Sequence, residues 1–220
     1  MQTAGNATTF FSDVIPDKFV PEILDLVVAA WERMPKLDQR QFEPRITALL
    51  KLACVEEYDE KYRTQGPPFF VVPENQIADP VTGKEVARTD LDIHIRSLHI
   101  PKQRPYFTFE AKRLNIPGGK RVRSNATEYV GDSGMMCFIT VRYAPVFCGM
   151  LGYVMNSNTT TARNAVATAI HRRRRRLRLR LPKKLAPSSQ KPQDARHAET
   201  HHSSGGREFT MHHVFLSRRP

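Results

Sequence analysis

Cysteine is scarce in this chain. Of 220 residues only Cys54, Cys137 and Cys148 carry thiols, an odd number set far apart in apolar sequence. That excludes a disulfide framework and the CxxC spacing of a structural zinc site, and it marks the three as core fillers. Long apolar runs are missing too. Nothing approaches the roughly eighteen consecutive apolar residues of a membrane span, and MQTAGNATTFFSDV at the start has no basic stretch leading into an apolar one. Neither a transmembrane segment nor a secretory signal is therefore expected, and the chain reads as cytoplasmic. The glycine-rich stretch around Gly118 and Gly119 lacks the G-x-x-x-x-G-K-[ST] pattern, which argues against a phosphate loop for nucleoside triphosphates.

Acidic residues are short only in one part of the chain. The whole carries 34 Lys plus Arg against 22 Asp plus Glu, a formal charge of +12. Residues 1–100 hold 11 basic and 16 acidic side chains, residues 101–160 hold 8 and 3, and residues 161–220 hold 15 and 3. With 40% of its residues hydrophobic the chain can bury the core of one domain. Its basic second half points to a phosphate-bearing partner, because clustered Lys and Arg gain from counterion release on nucleic acid.

Periodicity predicts an α/β domain with a central mixed sheet flanked by helices. Ile23, Leu24, Val27, Val28, Trp31 and Met34 recur at helical spacing between Pro21 and Pro35, and Ile46, Leu49, Leu50, Ala53, Cys54 and Tyr58 do so after Pro44. Short strands are expected at Phe69–Val72, Val86–Ile95 and Tyr106–Leu114, the last two joined by a hairpin connection over Leu98–Pro105. A turn is expected at Thr82-Gly83-Lys84. A basic loop, IPGGKRVRSN, then precedes a helix from Ser124 or Asn125 to about Val141, a strand over Phe147–Met155 and a basic helix over residues 160–181. Residues 182–206 read as a mobile loop and 208–216 as a closing strand.

The chemistry concentrates on two of these strands. Alternation places Glu110 and Lys112 side by side on one face, and Asp90, Asp92 and His94 share one face of the preceding strand. Phe107, Phe109, Ala111 and Leu114 make the second strand apolar, so the charged pair must be compensated by a partner or a metal. Two carboxylates suit a hard cation such as Mg²⁺ or Mn²⁺, which acidifies a bound water for attack on phosphorus. Lys112 would orient that water, help deprotonate it or neutralise the charged transition state.

RTDLDIHI (88–95) followed by YFTFEAKRL (106–114) resembles the D…E-x-K signature of the PD-(D/E)xK nuclease superfamily, the restriction-endonuclease-like fold, and small bacterial members of it in particular. The likeness covers roughly residues 40–157. It implies a metal-dependent nuclease, acting on DNA, of a kind found among restriction and phage-defence genes. Glu110 and Lys112 match the E-x-K half. Asp90 or Asp92 matches the aspartate, with Arg88-Thr89-Asp90-Leu91 favouring Asp90. Glu43 matches the extra acidic residue that many members place on the helix before the sheet. No proline precedes either aspartate, a departure from the superfamily's name.

Each feature has a plainer reading. Glu110 and Lys112 could be an ion pair at a sheet edge, Glu43 a favourable charge at a helix N-terminus, and Glu74 a loop residue. For nucleic-acid contact the candidates are Lys120, Arg121 and Arg123 of the glycine-rich loop and the run Arg172, Arg173, Arg174, Arg175 and Arg176, continued by Arg178, Arg180, Lys183 and Lys184. Either stretch could instead be solvated surface. His212 and His213 point to opposite faces of the last strand and read as structural, as does Tyr129. The alternatives to a DNA nuclease are a non-catalytic nucleic-acid-binding or scaffold subunit, an RNA-directed nuclease and, least supported, an enzyme using Lys112 as a Schiff-base nucleophile. Symmetric double-strand cutting would require two active sites, through a homodimer or two binding events, and recruitment could require a partner subunit.

Overall fold

The computed structural model describes residues 17–38, 40–62, 69–73, 76–78, 85–95, 106–118, 121–140 and 147–217. The expected connection over 98–105, the turn at 82–84, Glu74 and Lys120 lie outside them. After a single 3₁₀ turn (Asp17–Phe19), helix α1 (Val20–Arg33) and helix α2 (Glu43–Lys61) each begin with a proline in the first turn, where a missing N–H costs nothing. Ile46, Leu50, Ala53 and Cys54 line the buried side of α2.

Seven strands form one mixed sheet. They are β1 (Phe69–Pro73), β4 (Leu91–Ile95), β5 (Phe107–Leu114), β8 (Phe147–Val154), β11 (Arg207–Ser217), β10 (His197–Ser204) and β9 (Ala186–Pro187), side by side in that order. β5, β8 and β11 run parallel, and the outer pairs are antiparallel. Two small hairpins stand apart, β2 (Gln76–Ala78) with β3 (Glu85–Arg88), and β6 (Ile116–Gly118) with β7 (Arg121–Arg123). One face of the sheet is covered by α1 and α2, the other by helices α3 (Ala126–Tyr129), α4 (Met136–Ile139) and α5 (Thr159–Arg173). Trp31 closes the first layer by stacking on Tyr153 at 5.4 Å and donating its indole N–H to the Ser217 carbonyl. Among the described residues no helix is long and apolar enough to cross a membrane.

The expected elements are altered in five places. The basic helix expected over 160–181 ends at Arg173, and the chain after it turns so that Leu179 bridges to His202 of β10. The single strand over 86–95 is broken at Thr89 and Asp90, because β3 pairs with β2 and only β4 joins the main sheet. The basic loop after β5 is the hairpin β6–β7. The helix over 125–141 is two short helices separated at 130–135. A Cβ on Gly134 would sit 2.2 Å from the Tyr129 carbonyl oxygen, so only glycine permits the close crossing between them.

The largest correction concerns residues 182–206, which are not a mobile loop. They contain β9 and β10, and β10 pairs with β11 along eight residues. Polar side chains hold it in place. The Leu177 carbonyl can only accept, so His202 Nδ1 donates to it (2.7 Å), which leaves Nε2 to accept from the Thr200 hydroxyl (2.7 Å). The Thr200 oxygen then accepts from His213 Nε2 (2.9 Å), and His213 Nδ1 accepts from the Tyr129 hydroxyl (2.9 Å). Every member of this relay is buried.

Candidate active site

The site is built on β5. Phe107, Phe109 and Ala111 enter the core beneath α1 and α2, and Thr108, Glu110 and Lys112 alternate with them. The neighbouring strand β4 accompanies β5 only from Ile93↔Phe107 to Leu91↔Phe109. Beyond Phe109 that edge of β5 has no strand beside it among the described residues. Backbone N–H groups two residues apart point to the same edge, so those of Ala111 and Arg113 need other acceptors. Carboxylates provide them: Asp90 Oδ2 accepts from Ala111 N–H at 2.8 Å and Glu43 Oε2 from Arg113 N–H at 2.9 Å.

These two acids frame the E-x-K pair. The Lys112 ammonium donates to Glu43 Oε1 (3.0 Å), Glu110 Oε1 (3.0 Å) and the Ala111 carbonyl (2.6 Å), which occupies all three of its protons. Lys112 and Glu110 are both buried. Burial lowers the Lys112 pKa, but the carboxylates of Glu110, Glu43 and Asp90 together raise it further, so the net shift is upward. Lys112 is therefore a fixed cation at neutral pH. It can hold an oxygen or neutralise charge; it cannot accept a proton in this state.

Of the two candidate aspartates, the structure brings Asp90 to this edge and engages Asp92 elsewhere. Asp92 is fully buried, and its oxygens accept from the hydroxyls of Thr89 (2.8 Å) and Thr108 (2.7 Å), pinning β4 to β5. His94 is buried against Phe70 with its Nε2 unpartnered, and burial, partly offset by Asp92, lowers its pKa. Tyr129 and His213 belong to the buried polar relay, and His212 packs on Phe107 on the opposite face of β11.

Three contributors gave no signal in the sequence. Arg113 offers its backbone N–H to Glu43, while its guanidinium donates to the Gln41 carbonyl (2.9 Å) and lies over the exposed Phe42 ring. That ties the start of α2 to β5 and so positions Glu43. Tyr153 accompanies Thr47 (3.0 Å) beneath the site. Burial raises its pKa, the Thr47 hydrogen bond lowers it, and the charges of Asp90 and Glu43 raise it again.

The basic candidates fall in two places. Arg121 and Arg123 are exposed on β7, whose hairpin is held beside the site by Asn115 N–H to the Ser124 carbonyl and by Asn125 Nδ2 to the Arg113 carbonyl. Arg172 and Arg173 lie in the last turn of α5, and Arg174–Arg176 follow it. The chain beyond them bridges the outer side of β10 at Leu179↔His202, four strand positions from β5, or roughly 19 Å at about 4.8 Å per strand.

Among the described residues, no three His, Cys, Asp or Glu side chains converge as a ready-made metal cluster. The donors at hand are nonetheless hard oxygens. Asp90 and Glu110 are of the type that holds Mg²⁺ or Mn²⁺ through one or two carboxylates, with water filling the remaining positions.

The fold and site together define an α/β protein with a mixed seven-stranded sheet and an acidic and lysine cluster at the end of a central strand that β4 leaves uncovered. Compared with protein-family models, curated proteins and solved structures, the chain matches none of them.

Proposed function

We propose that this chain is a metal-dependent nuclease of the restriction-endonuclease-like type that hydrolyses phosphodiester bonds in DNA. The observation that carries this reading is the convergence of Asp90, Glu43 and Glu110 on the same few residues of β5 as Lys112. Asp90 and Glu110 are the ligands to a divalent cation, and Glu43 orients Lys112 and supplies a further carboxylate. When bound, Mg²⁺ or Mn²⁺ lowers the pKa of a coordinated water and neutralises charge developing at phosphorus. Lys112, held as an ammonium, positions the attacking water and stabilises the charged transition state. Arg121 and Arg123 hold the phosphates flanking the scissile bond.

A second reading has its own support. The three filled hydrogen bonds of Lys112 also describe a self-sufficient structural ion cluster, which suits a subunit that binds nucleic acid without cutting it. Supercoiled plasmid, single-stranded DNA and matched RNA incubated with purified protein in Mg²⁺, Mn²⁺ or EDTA separate the two. Metal-dependent cutting that is abolished in Glu110→Ala and Lys112→Ala is the expected result. Plasmid retarded on a gel but never cut, in any metal, would overturn the nuclease and leave the binding subunit.

A further inference from the structure

Residues 133–193 contain 12 Lys and Arg and not one Asp or Glu. The fold gathers most of this charge at the sheet edge away from the E-x-K site. Alternation in RLRLRL does the sorting: Leu177 and Leu179 are buried in the second core layer, so Arg176, Arg178 and Arg180 are turned outward. Four of the arginines of this run are engaged within the protein, Arg174 by the His171 carbonyl, Arg176 by Asp132, Arg178 by Ser204 and Arg180 by Glu208. The side chains of Arg172, Arg173, Arg175, Lys183 and Lys184 have no hydrogen-bond or ion-pair partner among the described residues, and all but the half-buried Arg173 are exposed. Five unneutralised cations on a rigidly anchored segment repel one another, which a folded protein tolerates readily where an anion covers them.

We propose that residues 172–184 form an anchoring surface for the phosphate backbone of a nucleic-acid duplex, separate from the catalytic centre. This rests on the reading of the chain as a nuclease. The anchor lies four strand spacings, roughly 19 Å, across the sheet from β5, and the Leu179↔His202 bridge is level with the start of β5, six residues or about 20 Å along the strand from Lys112, which puts the two about 28 Å apart. At about 3.4 Å per base pair, a substrate touching both must extend about eight base pairs from the scissile bond. The surface holds the substrate without reading sequence, because phosphate contacts carry no base information. An anionic membrane is the poorer fit. The apolar stripe of α5, Ala162, Val166 and Ile170, is fully buried, so this helix has no apolar face to insert into lipid.

The test is binding in EDTA, where no cutting occurs, followed by fluorescence anisotropy. The probes are a labelled DNA duplex of about 30 base pairs, its RNA counterpart and a hairpin with a stem of about four base pairs. The variant combines Arg172→Gln, Arg173→Gln, Arg175→Gln, Lys183→Gln and Lys184→Gln, and a companion carries Lys at the three arginine positions. The variant is expected to bind the long DNA duplex at least about tenfold more weakly at low salt. Its dependence on KCl should be shallower by nearly one unit of log–log slope for each phosphate that it no longer neutralises. The short stem, unable to span both places, should lose clearly less affinity in the variant than the long duplex does, and the Lys companion should bind like the parent throughout. Preference for the RNA duplex would keep the surface and change the substrate. Equal affinity and equal salt slope for parent and variant would overturn the proposal, as would a parent that binds phosphatidylserine vesicles and neither duplex. A parent that binds but never cuts in Mg²⁺ or Mn²⁺ would overturn the nuclease and leave the anchor standing.

Discussion

Lys112 shows how one residue can serve both stability and chemistry. Its ammonium compensates two buried or half-buried carboxylates, so Lys112→Met would leave Glu110 and Glu43 facing each other across an apolar methyl group. Removing one partner from a buried ion pair costs about 3–5 kcal/mol, and the half-exposed Glu43 reduces that, so a loss of about 2–3 kcal/mol in urea unfolding at pH 7 is expected. The pH dependence has a definite sign. The folded pKa of Lys112 lies above its ordinary value of 10.5, so its contribution is complete below that pH and fades as the pH rises past it. The stability gap between parent and Lys112→Met should therefore be constant from pH 7 to 9 and narrow above about pH 10.5. A gap that widened with alkalinity would mean that Lys112 is not held as a cation.

At the scale of elements, β5 was legible in the sequence and β10 was not. In YFTFEAKRL apolar residues alternate from Phe107 through Phe109 to Ala111, and Glu110 and Lys112 stand out against that background. The alternation fixed the shared face of Glu110 and Lys112, and proline-led apolar periodicity located α1 and α2 to within a residue or two. What alternation could not show is where β4 ends against β5, and that end is the reason Asp90 and Glu43 meet backbone N–H groups there. HAETHHSS carries the opposite difficulty. Beside Ala198 its inward side chains are Thr200, His202 and Ser204, buried because each is hydrogen-bonded, Thr200 and His202 to one another and Ser204 to the Ile139 carbonyl, and no hydropathy pattern announces such burial. Thr200→Val tests that account. It strips a hydrogen bond from both His202 Nε2 and His213 Nε2 with little change of shape, and a loss of about 2–4 kcal/mol in urea unfolding is expected, from about 1–3 per buried unsatisfied group. A loss below about 0.5 kcal/mol, on the order of a neutral surface change, would show that the relay is not what holds β10.

Across the whole molecule, buried histidines link the sheet to pH. His202 and His212 are pushed down to about 4. For His202, burial lowers the value, the Leu177 carbonyl raises it and the charge of His201 lowers it. For His212, burial again dominates, Glu199 opposes it, and His197 and His201 add to it. His213 is driven well below its ordinary value by burial and by its two histidine neighbours, with Arg163 adding to the effect, while His197 and His94 are also lowered by burial. Above about pH 6.5 these rings are neutral whether the chain is folded or not, and the fold has its full stability. As the pH falls below that value the unfolded chain takes up protons that the folded one refuses, and stability declines until the folded pKa values are reached. Between pH 7 and pH 5, His202 and His212 should each remove on the order of 2 kcal/mol, at about 1.4 kcal/mol per unit. Asp194 does not offset this, since its lowered carboxyl acts only below its ordinary value near 3.8. Urea unfolding at pH 7, 6 and 5 should therefore show a falling midpoint, with the fall reduced in His202→Gln, whose side chain does not titrate. The same midpoint at pH 7 and pH 5 would show that these rings accept protons in the folded sheet, and that the relay from Tyr129 to Leu177 does not hold them neutral.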